Sequence, residues 1–152
     1  MTNAFKVAFE NVLVPLWRRP RRIQVAALCT RGTGDTRQVL LVTSRDTGRW
    51  VLPKGWPIAG LDAAGAALQE AWEEAGVKKA NVNEQPLGTY AYDKRLDGGL
   101  EIGVDVTVFE TQVETLTDVY PEASARTRKW VAPKEAAAMV HEPQLQDMLR
   151  AL

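Results

Sequence analysis

The segment from Asp62 to Gly76 constrains this chain more than any other, because both its ends and both its sides are specified. Asp62 offers a side-chain oxygen to the unpaired N–H groups of a first helical turn. Gly76 stands where a left-handed residue ends a helix, a conformation that costs other residues about 1–2 kcal/mol. The spacing predicts a helix over 62–75. With Glu70 at zero and about 100° per residue, Glu73 falls near about −60° and Glu74 near about +40°, so three carboxylates share one arc. Ala64, Leu68, Ala71, Trp72 and Ala75 fall on the opposite side and form the expected core face. Ala63 and Ala66 lie on the acidic arc, where small side chains leave open space in front of the acids.

An amphipathic helix of this length needs a second layer to cover its apolar side. The flanking sequence supplies strands. Residues 23–30 and 38–44 are runs rich in Val, Leu and Ala, joined by the Gly-bearing loop 31–37, which predicts two strands in a hairpin. Residues 50–52 form a further short strand ending at Pro53, and 87–92 read as another. The stretch 101–110 alternates Ile102, Val104, Val106 and Val108 with Glu101, Gly103, Asp105 and Thr107, the period of a strand with one buried face. Residues 128–131 add a short strand, and two helices close the chain at 133–140 and 143–152. The expected fold class is α/β, a mixed β-sheet with helices packed against it.

One domain suits a chain of 152 residues. We place it at 23–152, preceded by an N-terminal arm or short helix over 1–22. In that segment Phe5, Phe9, Leu13 and Leu16 recur at helical spacing, and Arg18, Arg19, Arg21 and Arg22 follow them. A signal peptide has the opposite order, so a cytoplasmic location is expected. No apolar run approaches the roughly 18 residues of a membrane span, and no membrane association is expected. One cysteine and one histidine exclude a disulfide framework and a multi-histidine metal site. Cys29 reads as core and His141 as a cap or surface residue. Nineteen basic residues balance nineteen acidic ones, so no overall field attracts nucleic acid, which is not an expected partner.

The acidic arc is unfavourable in isolation. Like charges three or four residues apart repel by about 0.2–0.5 kcal/mol per pair, and all three lie in the last turns, where the helix dipole disfavours anions. No lysine or arginine within the helix relieves them. Two readings follow from the residues alone: a solvated acidic face, or a site for a hard divalent cation, for which an all-oxygen donor set suits magnesium or manganese.

Gly55, five residues, Leu61, seven residues, then Gln69-Glu70-Ala71-Trp72-Glu73-Glu74-Ala75-Gly76-Val77 resembles the Nudix box. That motif reads Gly, five residues, Glu, seven residues, Arg-Glu, an aliphatic residue, any residue, Glu-Glu, any residue, Gly, aliphatic. The spacing is intact over 23 residues. The resemblance implies a Nudix-like α/β/α sandwich and metal-dependent hydrolysis of a diphosphate linked to another moiety. It implies Glu70, Glu73 and Glu74 as metal ligands, with the backbone carbonyl of Lys54 as a further one, and Mg2+ as cofactor, with Mn2+ as the alternative. Glu70 or Glu74 would then be the catalytic base, and a downstream loop acid, Glu101 or Glu122, could supplement them. Leu61 and Gln69 replace a Glu and an Arg that help hold the box together in the family. Their joint replacement leaves no unpaired charge, and it supports an alternative reading as a catalytically weak Nudix-like nucleotide-binding or sensing module.

Basic residues flank the box: Arg45, Arg49 and Lys54 before it, Lys94 and Arg95 after it, then Arg126, Arg128 and Lys129. Guanidinium forks and ammonium charges are what a polyphosphate requires. The stretches 43–45, 50–55, 120–122 and 126–130 are similar to the branch that hydrolyses diphosphoinositol polyphosphates and diadenosine polyphosphates. By that resemblance Arg22 also reaches the substrate. The expected partner is a polyphosphorylated small molecule, and the oligomeric state is left open. Trp56, Tyr90 and Tyr92 read as packing residues or as stacking platforms for a base.

Overall fold

The two long apolar runs near the start of the chain are continuous because both faces of their strands are buried, as in sheets covered by helices on each side. In the computed structural model, which describes residues 21–152, β1 (Arg22–Arg31) sends Ala26 and Leu28 to one face and Val25, Ala27 and Cys29 to the other. β2 (Gln38–Thr43) divides in the same way, with Val39 and Leu41 on the first face and Leu40 and Val42 on the second. The first face is closed by α2 (Pro133–Met139) and α3 (Pro143–Arg150), through Ala136, Ala137, Leu145 and Leu149. The second is closed by α1 (Ala63–Ala75). The result is an α/β/α sandwich.

The sheet is mixed. β1 runs parallel to β7 (Glu101–Leu116), from Arg22 opposite Val104 to Thr30 opposite Gln112. The other edge of β1 is shared: β2 pairs antiparallel at Thr30 and Arg31, and β4 (Lys54–Gly55) pairs antiparallel at Val25 and Ala26. β2 also holds β3 (Trp50–Val51) and β8 (Arg128–Val131). The outer edge of β7 carries β5 (Val77–Val82) and β6 (Gly88–Arg95). β1 and β2 therefore part after two residue pairs, and β4 occupies the edge they vacate.

Several expectations are corrected. β4 and β5 were not expected: β4 is two residues long, and β5 exposes Lys78, Lys79 and Asn81, which hides its periodicity. β7 continues six residues beyond 110, because β5 extends the ladder there. β6 starts at Gly88, and the last two helices stop at Met139 and Arg150. β1 begins at Arg22, one residue earlier than expected, and the rest of the predicted N-terminal arm lies outside the described residues.

The largest correction concerns α1. Its buried face is turned toward the acids: Ala66, Ala67 and Glu74 are buried with Ala64, Ala71 and Ala75, while Leu68 and Trp72 are only half-buried. The arc expected to be open at Ala66 is packed. Alanines let the helix lie close to β1, β4 and β5, and that close approach favours the acidic side over the bulkier one.

Both helix ends are as expected. Asp62 Oδ1 accepts from the Gly65 N–H at 2.7 Å, and Gly76 has φ 71°. A Cβ at Gly76 would strike the Thr117 carbonyl, the Tyr120 ring and the Arg128 guanidinium. Gly76→Ala should therefore lower stability by at least about 1–2 kcal/mol in calorimetric or chemical unfolding; an unchanged melting temperature would show that the loop at 117–120 yields without penalty.

Candidate active site

The carboxylates of α1 meet the backbone of β4. A Cβ on Gly55 would overlap the Glu70 carboxylate and push that side chain aside, so glycine here lets the acid lie against the strand, although its backbone angle would accept other residues. Glu74 is buried; its Oε2 accepts from the Lys54 N–H at 3.2 Å and its Oε1 from Arg126 Nη2 at 3.1 Å. Glu73 Oε1 accepts from Gln69 Nε2 at 3.0 Å. The Glu73 backbone carbonyl accepts from the Glu122 N–H at 2.9 Å, which fastens the loop before β8 to the last turn of α1. Glu122 Oε1 then accepts from Arg45 Nη1 at 3.0 Å and from Arg126 Nη2 at 3.4 Å.

Burial dominates the electrostatics. It pushes the Glu70 carboxyl up to about 7, helped by the negative charges of Glu74, Glu73 and Glu122. It pushes Glu74 up to about 7 as well, outweighing the opposing pull of Arg126 and Lys54. Burial lowers the Lys54 ammonium from its ordinary range, against the pull of Glu74. Two carboxylates thus converge on one strand with too little positive charge to satisfy both, a donor set that fits a hard divalent cation. Among the described residues no group of three His, Cys, Asp or Glu side chains is arranged to hold an ion as it stands. Glu73 is engaged by Gln69, and Glu74 by Arg126.

Lys54 connects the acids to a cleft of about 400 Å³ that Ser44, Arg49, Tyr92, Lys94 and Arg95 also line. Three aspartates, Asp46, Asp93 and Asp97, stand among the basic residues. Lys54 Nζ lies 5.2 Å from the centroid of the Tyr92 ring. Tyr92 is held from behind by its hydroxyl, which donates to Gln24 Oε1 at 2.6 Å.

The predicted phosphate-binding residues divide into groups. Arg49 and Lys54 line the cleft. Arg45 is exposed and tied to Glu122. Arg126 is nearly buried; Nη1 donates to the Thr43 carbonyl at 3.0 Å and Nη2 to Glu74, so it is an internal counter-ion. Arg128 faces the end of α1: Nη1 donates to the carbonyls of Ala75 and Thr117 at 2.7 and 2.8 Å, and Nη2 to Asp118 at 2.7 Å. It supplies the positive charge that the last turn of α1 lacks. Lys129 is exposed on β8, outside the cleft. Arg22 is exposed at the start of β1, about 10 Å along the strand from the Val25–Gly55 pair. Of the two downstream acids, Glu122 joins the site, and Glu101 pairs with Arg95 across the far end of β7. Cys29 is core, its thiol pushed up to about 12 by burial; His141 is exposed. Glu142, bonded to Arg49, escapes sequence reading because a Glu before a proline-initiated helix reads as a cap.

The raised Glu70 and Glu74 values make the metal-free protein pH-sensitive in a definite direction. A carboxyl whose folded value lies above its unfolded one contributes most to stability below about 4.5 and loses that contribution as pH rises through about 7. The melting temperature of metal-free protein should therefore fall between pH 5.5 and 8. Glu70→Gln should reduce that fall and melt higher than the parent at the alkaline end. Superimposable pH profiles for parent and variant would mean that Glu70 is fully solvated.

The family model of the NUDIX domain matches residues 20–152. The chain is 32% identical over 117 residues to Nudix hydrolase 13, mitochondrial, of Arabidopsis thaliana, covering 74% of this chain and 57% of that protein. It is 38% identical over 55 residues to diphosphoinositol polyphosphate phosphohydrolase 3-alpha of Homo sapiens, covering 36% of this chain and 34% of that protein. The chain spans little more than half the length of the first of these relatives. In structure it is similar to a C. elegans Ap4A hydrolase in a binary complex, with TM-score 0.66, 20% identity, and coverage of 85% of this chain and 93% of that one. It is also similar to the NUDIX domain of Shewanella oneidensis NrtR complexed with ADP ribose, with TM-score 0.64, 19% identity, and coverage of 99% and 98%. At such identities the structural likeness is one of fold, and it is the same α/β/α sandwich. With Glu70 and Glu74 of its box set against β4, and the family model matching most of its length, the chain belongs to the Nudix family.

Proposed function

We propose that the chain hydrolyses a phosphoanhydride bond in a polyphosphorylated small molecule, such as a diphosphoinositol polyphosphate or a diadenosine polyphosphate. The observation that carries this reading is the junction at Lys54. Its backbone N–H holds Glu74, while its side chain lines the adjoining cleft beside Arg49. Glu70, Glu73, Glu74 and the Lys54 carbonyl are the groups we assign to Mg2+ or Mn2+. When bound, a divalent cation supplies charge neutralisation for phosphate oxygens and acidifies the attacking water. Glu70 is the better proton acceptor of the two candidates: its carboxyl lies near neutrality, and among the described residues no protein group hydrogen-bonds to it, whereas Glu74 already accepts two bonds.

Arg49, Lys54, Lys94 and Arg95 bind and orient the phosphates in this reading, with Arg45 at the rim. Arg22 and Lys129 lie farther out and would meet only an extended substrate. Arg126 and Arg128 support the acids and the helix end without contacting substrate. Among the described residues no helix is long and apolar enough to cross a membrane.

The second reading, a nucleotide-binding or sensing module of low activity, is favoured by the engagement of Glu73 by Gln69 and of Glu74 by Arg126. A panel of diphosphoinositol compounds, diadenosine polyphosphates, nucleoside triphosphates and sugar nucleotides, assayed with Mg2+ and with Mn2+ by phosphate release and product mass, separates the two. Polyphosphates should be preferred, with kcat/KM falling steeply with salt, and Arg49→Ala should raise their KM about tenfold, the worth of one charge-assisted hydrogen bond. Rapid cleavage of a nucleoside triphosphate or sugar nucleotide with poor use of polyphosphates would overturn the substrate class. Binding without turnover of any compound would favour the sensing module.

A further inference from the structure

Glu142 occupies the position just before α3, where Pro143 starts the helix, yet its carboxylate caps nothing. It is bonded instead to Arg49 Nη1 at 2.5 Å, a residue 93 positions away. Its side chain is 7% exposed, against 25% for Arg49, and its Oε2 is buried without a hydrogen-bond partner among the described residues. A buried ion pair is weak as a source of stability, and an orphaned carboxylate oxygen weakens it further. The pair needs another reason.

Its location supplies one. Arg49 lines the cleft, and its backbone carbonyl accepts from the Ser44 N–H at 2.8 Å, so the main chain beneath the side chain is already fixed. The bond to Glu142 is the only one the guanidinium makes among the described residues, which leaves its other N–H groups for a ligand. The start of α3 is itself anchored: Gln144 Oε1 accepts from the Ala91 N–H of β6 at 2.9 Å, and Leu145 and Leu149 are buried. β6 contributes Tyr92, Lys94 and Arg95 to the same cleft. One helix start therefore braces both sides of it.

We propose that Glu142 is a positioning residue for phosphate binding, holding the Arg49 guanidinium in the cleft so that its remaining N–H groups face the ligand. This role rests on the reading of the cleft as a polyphosphate site. It differs from a simple charge effect in sign. Removing the Glu142 charge makes the cleft more positive, so electrostatics alone would tighten anion binding, whereas loss of positioning loosens it.

The test is calorimetric binding of inorganic tripolyphosphate to the full chain, with melting temperatures recorded for every variant. Glu142→Ala should weaken binding about tenfold, the equivalent of one charge-assisted hydrogen bond. Glu142→Gln, which keeps an acceptor oxygen and the side-chain shape, should fall between Glu142→Ala and the parent, and it serves alone if Glu142→Ala does not fold. In an Arg49→Ala background neither change should weaken binding further. Unchanged or tighter binding in the single variants, an equal loss in the Arg49→Ala background, or no binding of tripolyphosphate by the parent would each overturn the role. A chain that shows this coupling yet hydrolyses no polyphosphate keeps the role and loses the hydrolase reading. A chain that hydrolyses polyphosphates while its Glu142 variants bind like the parent does the reverse.

Discussion

The close approach of the α1 carboxylates to the backbone of β4 is the constraint on which the rest of the structure depends. Glu70 lies against Gly55, where a side chain would push its carboxylate away, and Glu74 is fastened to the Lys54 N–H. That approach requires an alanine face on α1, so that the helix can sit low on the sheet. It also requires β1 to release β2 early, so that its edge is free to receive β4. Helix composition, sheet topology and the glycine at the box's first position are one solution to one packing problem.

Bringing acids into that contact creates an electrostatic burden, and arginines from the loop before β8 and from β8 itself bear it. Arg126 pairs with Glu74 and partly offsets its burial, and Arg128 offers its charge to the carbonyl end of the helix. Neither is free to act at the surface. The Nudix box in this chain also lacks the charged pair that braces it in the family. Gln69 bonds to Glu73 one turn on, and Leu61 is exposed. The basic residues around the box therefore fall into two groups, some fastened inside the fold and others lining the cleft, and sequence position does not separate them.

The cleft beside the acids is built from the opposite layer. β6, held by α3, presents Tyr92, Lys94 and Arg95, while Glu142 reaches from the start of α3 to Arg49. Acids come from one side of the sandwich and the cations lining the cleft from strands braced by the other. Lys54, on the short strand between them, belongs to both.

What the sequence by itself determined is whatever local physics specifies. The two ends of α1 follow from Asp62 and Gly76, β7 from its alternating valines, and the placing of Glu70 and Glu74 on one side of α1 from helical periodicity. Those features depend on residues within a few positions of one another. Only the tertiary structure decided which side of α1 is buried, because the winning face is set by how closely alanines let the helix approach, not by hydrophobicity summed around it. It also decided the fate of each arginine. Arg49, Arg126 and Arg128 are alike in sequence, but a guanidinium's role is set by its partner, and the partners Glu142, Glu74 and the Ala75 carbonyl lie 93, 52 and 53 residues away. A long side chain leaves no periodic mark for such a pairing, so only the folded chain assigns it.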